Sequence, residues 1–393
     1  MNRAHELGLA VYLDVVYNHF GPDGAYHRLF HPGFYSTSVK TPWGDGLNFD
    51  EEHSANTRAF FICNALHWLE EYHIDGFRLD ATHAIQDTSE VHFLAEFASA
   101  LHLRAAELQR TVNVIAEDAR NLNTILRLPR QGGFGVDAVW ADDLHHQVRR
   151  ALAGDNAGYY ADYDGQPASI ARTLRNGWFY EGQHSVHHNA PRGTPSEGID
   201  LNRFVICIQN HDQIGNRARG ERLHHQIPDH SHRAASALLL LAPETPLLFM
   251  GQEWGATSPF QFFTDHNEQL GPLVSEGRRR EFAHFPEFSG EEARASIPDP
   301  QAEETFLRSK LDWCEIEEPA HQAMLRWYTR VLALRRQIRG HALRCTVREQ
   351  SGVILLEWRD ARRVSYSRYC LAGLRRMGRR PSPGRTVVHQ RGS

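Results

Sequence analysis

The stretch "IDGFRLD", residues 74–80, is a short apolar run that ends in a charged residue, and the same pattern recurs along the chain. Most of these runs are followed by segments with apolar residues at helical spacing. Strands that alternate with helices form a parallel sheet, and near-continuous apolar strands are buried on both faces. The other runs are LAVYLDVVYNH (9–19), VNVIAED (112–118), VDAVWADD (136–143), RFVICIQNHD (203–212) and PLLFMGQE (246–253). We therefore predict an α/β fold with a parallel sheet.

The segments around the first strand have their own signals. A short helical pattern, RAHELG (3–8), precedes it and closes at Gly8. Residues 54–72 carry apolar positions at helical spacing, with Ser54 as the expected N-cap. Between them, residues 20–50 are rich in glycine, proline and aromatic residues, which is typical of a long functional loop.

The polar residues of the six runs stand at the C-terminal ends of the strands. A (β/α)8 TIM barrel builds its active site at that end. A doubly wound sheet also binds ligands there, but no glycine-rich phosphate loop follows the first strand. The barrel is therefore favoured. Because a barrel has eight strands and six are found, we expect a truncated barrel in which strands 3–8 are present.

Three regions are predicted along the chain. Residues 1–339 form the incomplete catalytic barrel, and residues 340–360 begin a C-terminal β-domain with the strand-like "GVILLEWRD". From residue 361 to residue 393 there are nine arginines and no Asp or Glu, and the strand pattern is lost. Such a tail is either a basic interaction arm or a disordered or non-native terminus, and we favour the second.

The bulk composition excludes several classes of protein. The net charge of −5 gives no indication of a nucleic acid or an anionic membrane as partner. No run of about 18 apolar residues is present, so no membrane span is predicted. The five cysteines are odd in number and form no CxxC pair, which fits a reducing compartment, and we expect a cytoplasmic location.

Acidic residues mark four of the strand ends. Burial of a carboxylate without a partner is costly, so each of them needs an explanation. Taken singly, each is as easily a structural ion-pair partner as a catalytic group. As a set at one mouth of a barrel, they suit glycoside hydrolysis or divalent-metal binding. The four are Asp14, Asp80, Glu117 and Asp212.

Basic residues accompany these acids. Arg78 lies two positions before Asp80, so both side chains share one face of the strand, and the guanidinium would keep the carboxylate ionised. His19, His83 and His211 follow strand ends. We prefer them as hydrogen-bond partners of sugar hydroxyls rather than as metal ligands, because 25 histidines make chance proximity common.

Four motifs in order carry a family resemblance. They are DVVYNH (14–19), GFRLDATHA (76–84), VIAED (114–118) and IQNHDQ (208–213). Together they resemble the signature regions of the α-amylase superfamily, glycoside hydrolase family 13. Within it, the chain from about residue 3 to about residue 359 resembles the maltooligosyltrehalose trehalohydrolases. The segments 140–163 and 249–282 discriminate best against branching enzymes and ordinary amylases.

The resemblance implies roles for the acids. Asp80 would be the nucleophile, Glu117 the general acid/base, and Asp212 the third carboxylate, which stabilises the transition state. These enzymes retain anomeric configuration, so Asp80 and Glu117 should lie about 5–5.5 Å apart. The pKa of Glu117 should be raised, because a general acid must begin protonated.

The resemblance also implies the substrate side of the site. Asp14 would pair with Arg78, and His19 and His211 would bind the sugar next to the scissile bond. A group around residue 140 would form trehalose-side subsites, unless it is only a polar strand end. No cofactor is implied; an amylase-type calcium site could include Asn18, but the resemblance does not require one. The substrate-binding candidates are Asp14, Tyr17, His19, Arg78, His83, Trp140, Asp142, Asp143, His145, His146 and His211.

The expected activity is hydrolysis of the α-1,4 bond next to the terminal trehalose of a maltooligosyltrehalose. The partner would be an α-glucan oligosaccharide with terminal trehalose, and the products trehalose and a maltooligosaccharide. A glucan-branching transferase of the same superfamily and an inactive sugar-binding fragment remain as alternatives. The resemblance places a small β-sandwich domain and two barrel strands before the part matched here.

Overall fold

A computed structural model describes residues 1–21, 24–41, 43–340, 344–359, 366–371 and 387–389. The chain divides into two compact units. The first comprises residues 1–143 and 176–205, and the second comprises residues 144–175 and 206–393.

The secondary structure alternates strands and helices, as predicted. The α-helices are α1 (Asn2–Glu6), α2 (His27–Phe30), α3 (Ser54–Glu70), α4 (Phe93–Glu107), α5 (Asn123–Leu126), α6 (Asp143–Leu152), α7 (Pro167–Asn176), α8 (His211–Gly215), α9 (Leu223–Gln226), α10 (Asp229–Leu241), α11 (Leu270–Glu281), α12 (Glu291–Ala295), α13 (Glu303–Ser309) and α14 (Pro319–Gly340). Short 3-10 helices are Pro32–Phe34, Thr82–Ala84, Pro129–Gln131, Gly158–Asp162, Leu201–Arg203, Phe282–His284, Pro286–Phe288 and Trp313–Glu317. The strands are β1 (Tyr12–Val15), β2 (Tyr35–Thr41), β3 (Gly44–Leu47), β4 (Gly76–Leu79), β5 (Asn113–Glu117), β6 (Ala138–Trp140), β7 (Glu181–Ser185), β8 (Ala190–Gly193), β9 (Phe204–Ile206), β10 (Thr245–Pro246), β11 (Arg344–Gln350), β12 (Val353–Arg359), β13 (Tyr366–Leu371) and β14 (Val387–His389).

The first unit is built on a parallel sheet in the order β1-β4-β5-β6-β9. Every residue of β4 is buried, which fits a strand covered on both faces. The register places Asp14 beside Arg78 and Glu117 beside Trp140. The C-terminal ends of four neighbouring strands therefore carry the predicted polar residues together. The predicted α/β fold with a parallel sheet is confirmed.

Strand β10 is much shorter than the predicted run 246–253. It has two residues, and in the second unit the Leu247 N–H donates to the Ile206 carbonyl at 2.8 Å. The chain then turns, with the Gln252 N–H bonded to the Phe249 carbonyl and Gly251 at φ +83°. The longer strand was a wrong prediction, because the apolar run continues into a turn that only glycine adopts easily.

Two local predictions also change. Helix α3 begins at Ser54, but its N-cap is His53 at φ 70°, and no side chain caps it. Ser54 is therefore the first helical residue rather than the cap. The segment 20–50 contains α2 and the antiparallel hairpin β2–β3. The Glu51 carboxylate fastens the hairpin base by accepting hydrogen bonds from Ser36, Thr37 and Ser38, which lower its pKa to about 2.

The second unit packs α10 against α14, where Leu240, Met324 and Tyr328 form a buried cluster. Its antiparallel sheet has the order β11-β12-β13-β14. The Trp358 Nε1–H of β12 donates to the Leu241 carbonyl at 3.1 Å. Within the predicted tail, β13 and β14 are described and the other positions beyond residue 359 lie outside the described residues. Among the described residues, no helix is long and apolar enough to cross a membrane.

Acid is expected to weaken the second unit through His232. This α10 residue is fully buried, and burial lowers its pKa from 6.5 to about 4; Asp229 raises it, and Arg233 and His225 lower it further. The unfolded chain takes up this proton below pH 6.5 and the folded protein does not. The free energy of unfolding should therefore fall by about 3 kcal/mol between pH 6.5 and pH 4.

Urea unfolding at several pH values checks this expectation. His232→Leu should lose that part of the pH dependence, whereas His230→Leu, at an exposed position on the same helix, should keep it. Identical pH profiles for both variants and the parent would exclude His232 as the cause.

Candidate active site

Arg78 is the centre of the polar cluster at the strand ends. Its side chain is only 6% exposed. Nη1 donates to Asp14 Oδ1 at 2.7 Å and to Asp80 Oδ1 at 2.8 Å, and Nη2 lies 2.9 Å from Glu117 Oε2. Burial alone would lower the pKa of Arg78, but the carboxylates of Glu117, Asp14 and Asp80 raise it above its usual value. One guanidinium therefore fixes three carboxylates.

Asp80 is held at the end of β4 by its neighbours. Its N–H donates to the Val15 carbonyl at 2.9 Å, which extends the pairing of β1 with β4 by one residue. Asn18 Nδ2 donates to the Asp80 carbonyl at 2.7 Å and lies 3.4 Å from Oδ2. The carboxylate is 26% exposed, so it is positioned yet reachable. A nucleophilic carboxylate needs both properties.

Glu117 is tied to the residue that follows Asp80. The Ala81 N–H donates to Glu117 Oε2 at 2.7 Å, and Ala81 adopts the left-handed conformation with φ 42°. Thr82 Oγ1 donates to the Glu117 carbonyl at 2.9 Å. These hydrogen bonds connect the end of β4, which carries Asp80, to the end of β5, which carries Glu117. The separation of the two carboxylates and a raised pKa for Glu117 stay predictions.

Two aromatic side chains border this cluster. The Trp140 ring lies 4.2 Å from the Arg78 guanidinium carbon, at cation–π distance. His19 Nδ1 donates to Asn18 Oδ1 at 2.5 Å, and the His19 and Trp43 rings lie 5.5 Å apart. Burial lowers the pKa of His19, while the Asp80 charge raises it. His19 therefore lies within the field of the candidate nucleophile.

Three further candidates differ in their surroundings. Asp14 is half exposed and bonded to Arg78, the pairing expected for it. Tyr17 is buried against Phe61, with its hydroxyl donating to Asn64 Oδ1 at 2.5 Å, and burial raises its pKa. This packing gives Tyr17 a place in the core, and its role on the substrate side stays a prediction. His83 is half-buried in a 3-10 turn, and its Nδ1 has no hydrogen-bond partner among the described residues.

Asp143 makes several hydrogen bonds within the first unit. It is fully buried at the start of α6, and its Oδ2 accepts from Asn121 Nδ2 at 2.7 Å and from the Phe179 N–H at 2.6 Å. Arg192 Nη2 donates to Oδ1 at 3.2 Å. The neighbouring Asp142 is half-buried. For Asp143, the alternative of a polar strand end describes the contacts better than a sugar subsite.

Asp143→Asn is expected to destabilise the protein by about 2 kcal/mol. The change removes the negative charge that faces Arg192. It also replaces one carboxylate oxygen, which accepts hydrogen bonds, by an amide NH2 group, which cannot accept one from the Phe179 N–H. Thermal or urea unfolding measures the loss, and Asp142→Asn serves as the matched control with a small effect. Equal stability of the two variants would contradict the structural role.

The remaining candidates lie in the second unit. Asp212 and His211 open helix α8, with His211 Nε2 3.5 Å from Asp212 Oδ1, and both side chains are partly exposed. His145 is buried, with Nδ1 bonded to the Ile208 carbonyl at 2.7 Å, and burial takes its pKa well below the usual value. His146 is buried beside Tyr163 at 4.9 Å. Asp212 and His211 remain candidates, and the subsite roles of the buried His145 and His146 stay predictions.

Some functional contacts were not anticipated from the sequence. The Ala81 N–H donates to Glu117, and Asn121 and Arg192 donate to Asp143. No local sequence pattern indicated these contacts. As for metals, the described residues contain no group of three or more His, Cys, Asp or Glu side chains that could hold an ion.

Comparison with curated proteins gives a consistent set of relatives. The chain is 48% identical to the malto-oligosyltrehalose trehalohydrolase of Deinococcus radiodurans, covering 86% of this chain and 54% of that protein. It is 41% identical to the malto-oligosyltrehalose trehalohydrolase of Saccharolobus solfataricus, covering 80% of this chain and 52% of that protein. The chain thus spans about half the length of the curated relatives it matches. No protein-family model matches it.

Solved structures agree on the fold. A structure described as a putative alpha amylase from Salmonella typhimurium matches with a TM-score of 0.81 and 37% identity, covering 93% of this chain and 62% of that one. An α-amylase from Geobacillus thermoleovorans, complexed with acarbose, matches with a TM-score of 0.55 and 15% identity, covering 94% of this chain and 67% of that one. The fold is therefore α/β and TIM-barrel-like, of the α-amylase type.

Proposed function

Since the chain belongs, over most of its length, to the malto-oligosyltrehalose trehalohydrolase family, we propose that it is a retaining glycosidase that releases trehalose. It would cut the α-1,4 bond next to the terminal trehalose of an α-glucan oligosaccharide. The observation that carries the proposal is the shared guanidinium of Arg78, which holds both Asp80 and Glu117. The five parallel strands β1, β4, β5, β6 and β9, with the short β10 beside β9, would correspond to strands 3–8 of the eight-stranded barrel.

The reaction runs in two steps. The Asp80 carboxylate attacks the anomeric carbon of the maltooligosyl part, and the bond to the trehalose oxygen breaks. Glu117 gives its proton to that oxygen, and trehalose leaves. Glu117 then removes a proton from water, which hydrolyses the Asp80 ester and releases the maltooligosaccharide. Asp212 would hold sugar hydroxyls during both steps.

The surroundings of Asp80 support this division of roles. Arg78 and Asn18 contact the Asp80 carboxylate, so it is fixed in direction. His19 and Trp140 border the same cluster and would contact the sugar rings. We also propose a cytoplasmic location, because the exposed cysteines Cys63 and Cys314 form no disulfide.

A glucan-branching transferase is the second candidate. The chain is 32% identical to a 1,4-alpha-glucan branching enzyme of Bacillus caldolyticus, but over only 36% of its length. The chemistry would differ in the second step, where a sugar hydroxyl instead of water would resolve the Asp80 ester. The shorter match makes hydrolysis the better supported reaction.

Product analysis distinguishes these functions. The protein is incubated with maltooligosyltrehalose, and trehalose is measured by chromatography; in parallel, amylose is examined for new α-1,6 links. Trehalose without new links supports hydrolysis, and new links support the transferase. Binding of the oligosaccharide without either product would identify an inactive sugar-binding fragment.

A further inference from the structure

A cavity lies in the first unit, at the opposite ends of the strands from the candidate catalytic cluster. Its volume is about 430 Å³, within the range of small-molecule sites. Asn113 lines it and begins β5, whereas Glu117 ends the same strand. At about 3.3 Å per residue, the two positions are roughly 13 Å apart along the strand. The cavity is therefore separate from the candidate active site.

The polar side chains that line the cavity include an oxygen that could accept a hydrogen bond from a ligand. His102 Nε2 lies 2.8 Å from Asp137 Oδ2, which also accepts from the Val114 N–H at 2.7 Å. Among the described residues, the other oxygen, Asp137 Oδ1, accepts no hydrogen bond. The side chains of His102 and Asp137 are 37% and 33% exposed, so a ligand could reach them.

Arg203 adds donors to the same cavity. Its Nε and Nη2 donate to the backbone carbonyls of Asp137, Leu126 and Val136 at 2.6–2.8 Å, which fix the guanidinium in place. In the described part of the chain, Nη1 has no acceptor. The lining thus offers a fixed donor and a carboxylate acceptor together.

The rest of the wall is apolar. Leu128, Pro129 and Phe134 line it, and the Phe134 ring is stacked on His92 at 4.1 Å. A purely apolar ligand would leave the charged groups desolvated and unpaired, which is costly. A simple anion would meet the Asp137 carboxylate. A sugar ring has hydroxyls that both donate and accept, and C–H faces that suit an aromatic wall.

We propose that this cavity is a second carbohydrate site, which binds a glucosyl unit of an α-glucan without cleaving it. The choice of a glucosyl unit rests on the proposed function, whereas the cavity and its chemistry do not. Binding at this end of the sheet would anchor a long glucan while another part of it occupies the catalytic end.

Affinity electrophoresis in gels that contain soluble starch tests the proposal. Ser99 lines the cavity from an exposed position of α4, so Ser99→Trp should fill the space with little effect on folding. We expect the retardation by starch to weaken by about tenfold in dissociation constant, since one or two hydrogen bonds are lost. Ala106→Trp, on the same helix and outside the cavity, should leave it unchanged.

Leu128→Ala provides a second variant, which trims the apolar wall instead of filling the cavity and should also weaken retardation. Trehalose release from a short substrate is measured alongside and should stay at the parent level in all three variants. Unchanged retardation in both cavity variants overturns the proposal, as does competition by inorganic phosphate at constant ionic strength. Retardation through this cavity in a protein that releases no trehalose would overturn the proposed function alone.

Discussion

Asp80→Asn is expected to reduce trehalose release by on the order of 10⁴-fold, because an amide cannot form the glycosyl ester. The side chain keeps its size and its place beside Arg78 and Asn18, so the protein should stay folded. Initial rates with maltooligosyltrehalose measure the loss. Mass spectrometry of a protein trapped with a slow, activated glycosyl fluoride should locate the adduct on Asp80.

Asp229→Asn is the matched control, since it makes the same chemical change at an exposed position of α10. Its rate should equal that of the parent. If Asp80→Asn kept a substantial fraction of the parent rate, or the adduct were found on another carboxylate, Asp80 would not be the nucleophile.

Arg78→Ala is expected to lower the free energy of unfolding by about 3 kcal/mol and to abolish activity as well. The change leaves three carboxylates close together without their common counter-charge, and one-sided removal of a buried ion pair is strongly destabilising. Because Asp14 is half exposed, water can solvate its carboxylate and so reduce the loss of stability. Urea unfolding gives the stability, and the trehalose assay gives the activity.

Arg104→Ala provides the comparison for this variant. Arg104 also contacts two carboxylates, of Glu70 and Glu107, but the site is open to solvent, and such exposed pairs contribute little to stability. The contrast between the two variants is the diagnostic result. A similar small loss in both would show that Arg78 does not hold the cluster together.

The fold could be predicted from the sequence where the pattern is strong. Five of the six apolar runs contain a strand, the sixth shares only Pro246 with β10, and helix α3 lies within the predicted 54–72 segment. The prediction failed where local geometry decides the outcome. The run after Pro246 enters a turn at Gly251, and His53 rather than Ser54 precedes α3. Apolar character alone does not distinguish a strand from a buried turn.

In the candidate site, too, contacts between neighbours in sequence could be predicted, and contacts between distant residues could not. The shared face of Arg78 and Asp80 follows from the two-residue period of a strand, and the structure has their ion pair. The burial of Asp143 under Arg192 joins residues 49 positions apart in sequence. Tyr17 likewise belongs to the core because Phe61, on α3, packs against it. No local pattern encodes such pairings, which depend on how the chain returns to itself.

The left-handed backbone at Ala81 restricts how this site could be transplanted. Its N–H reaches Glu117 only because φ is positive, a region that β-branched residues avoid. A designer who grafts the carboxylates onto another barrel must therefore also copy the turn after the nucleophile strand. Matching side chains on straight strands would reproduce the residues and lose the connection between them.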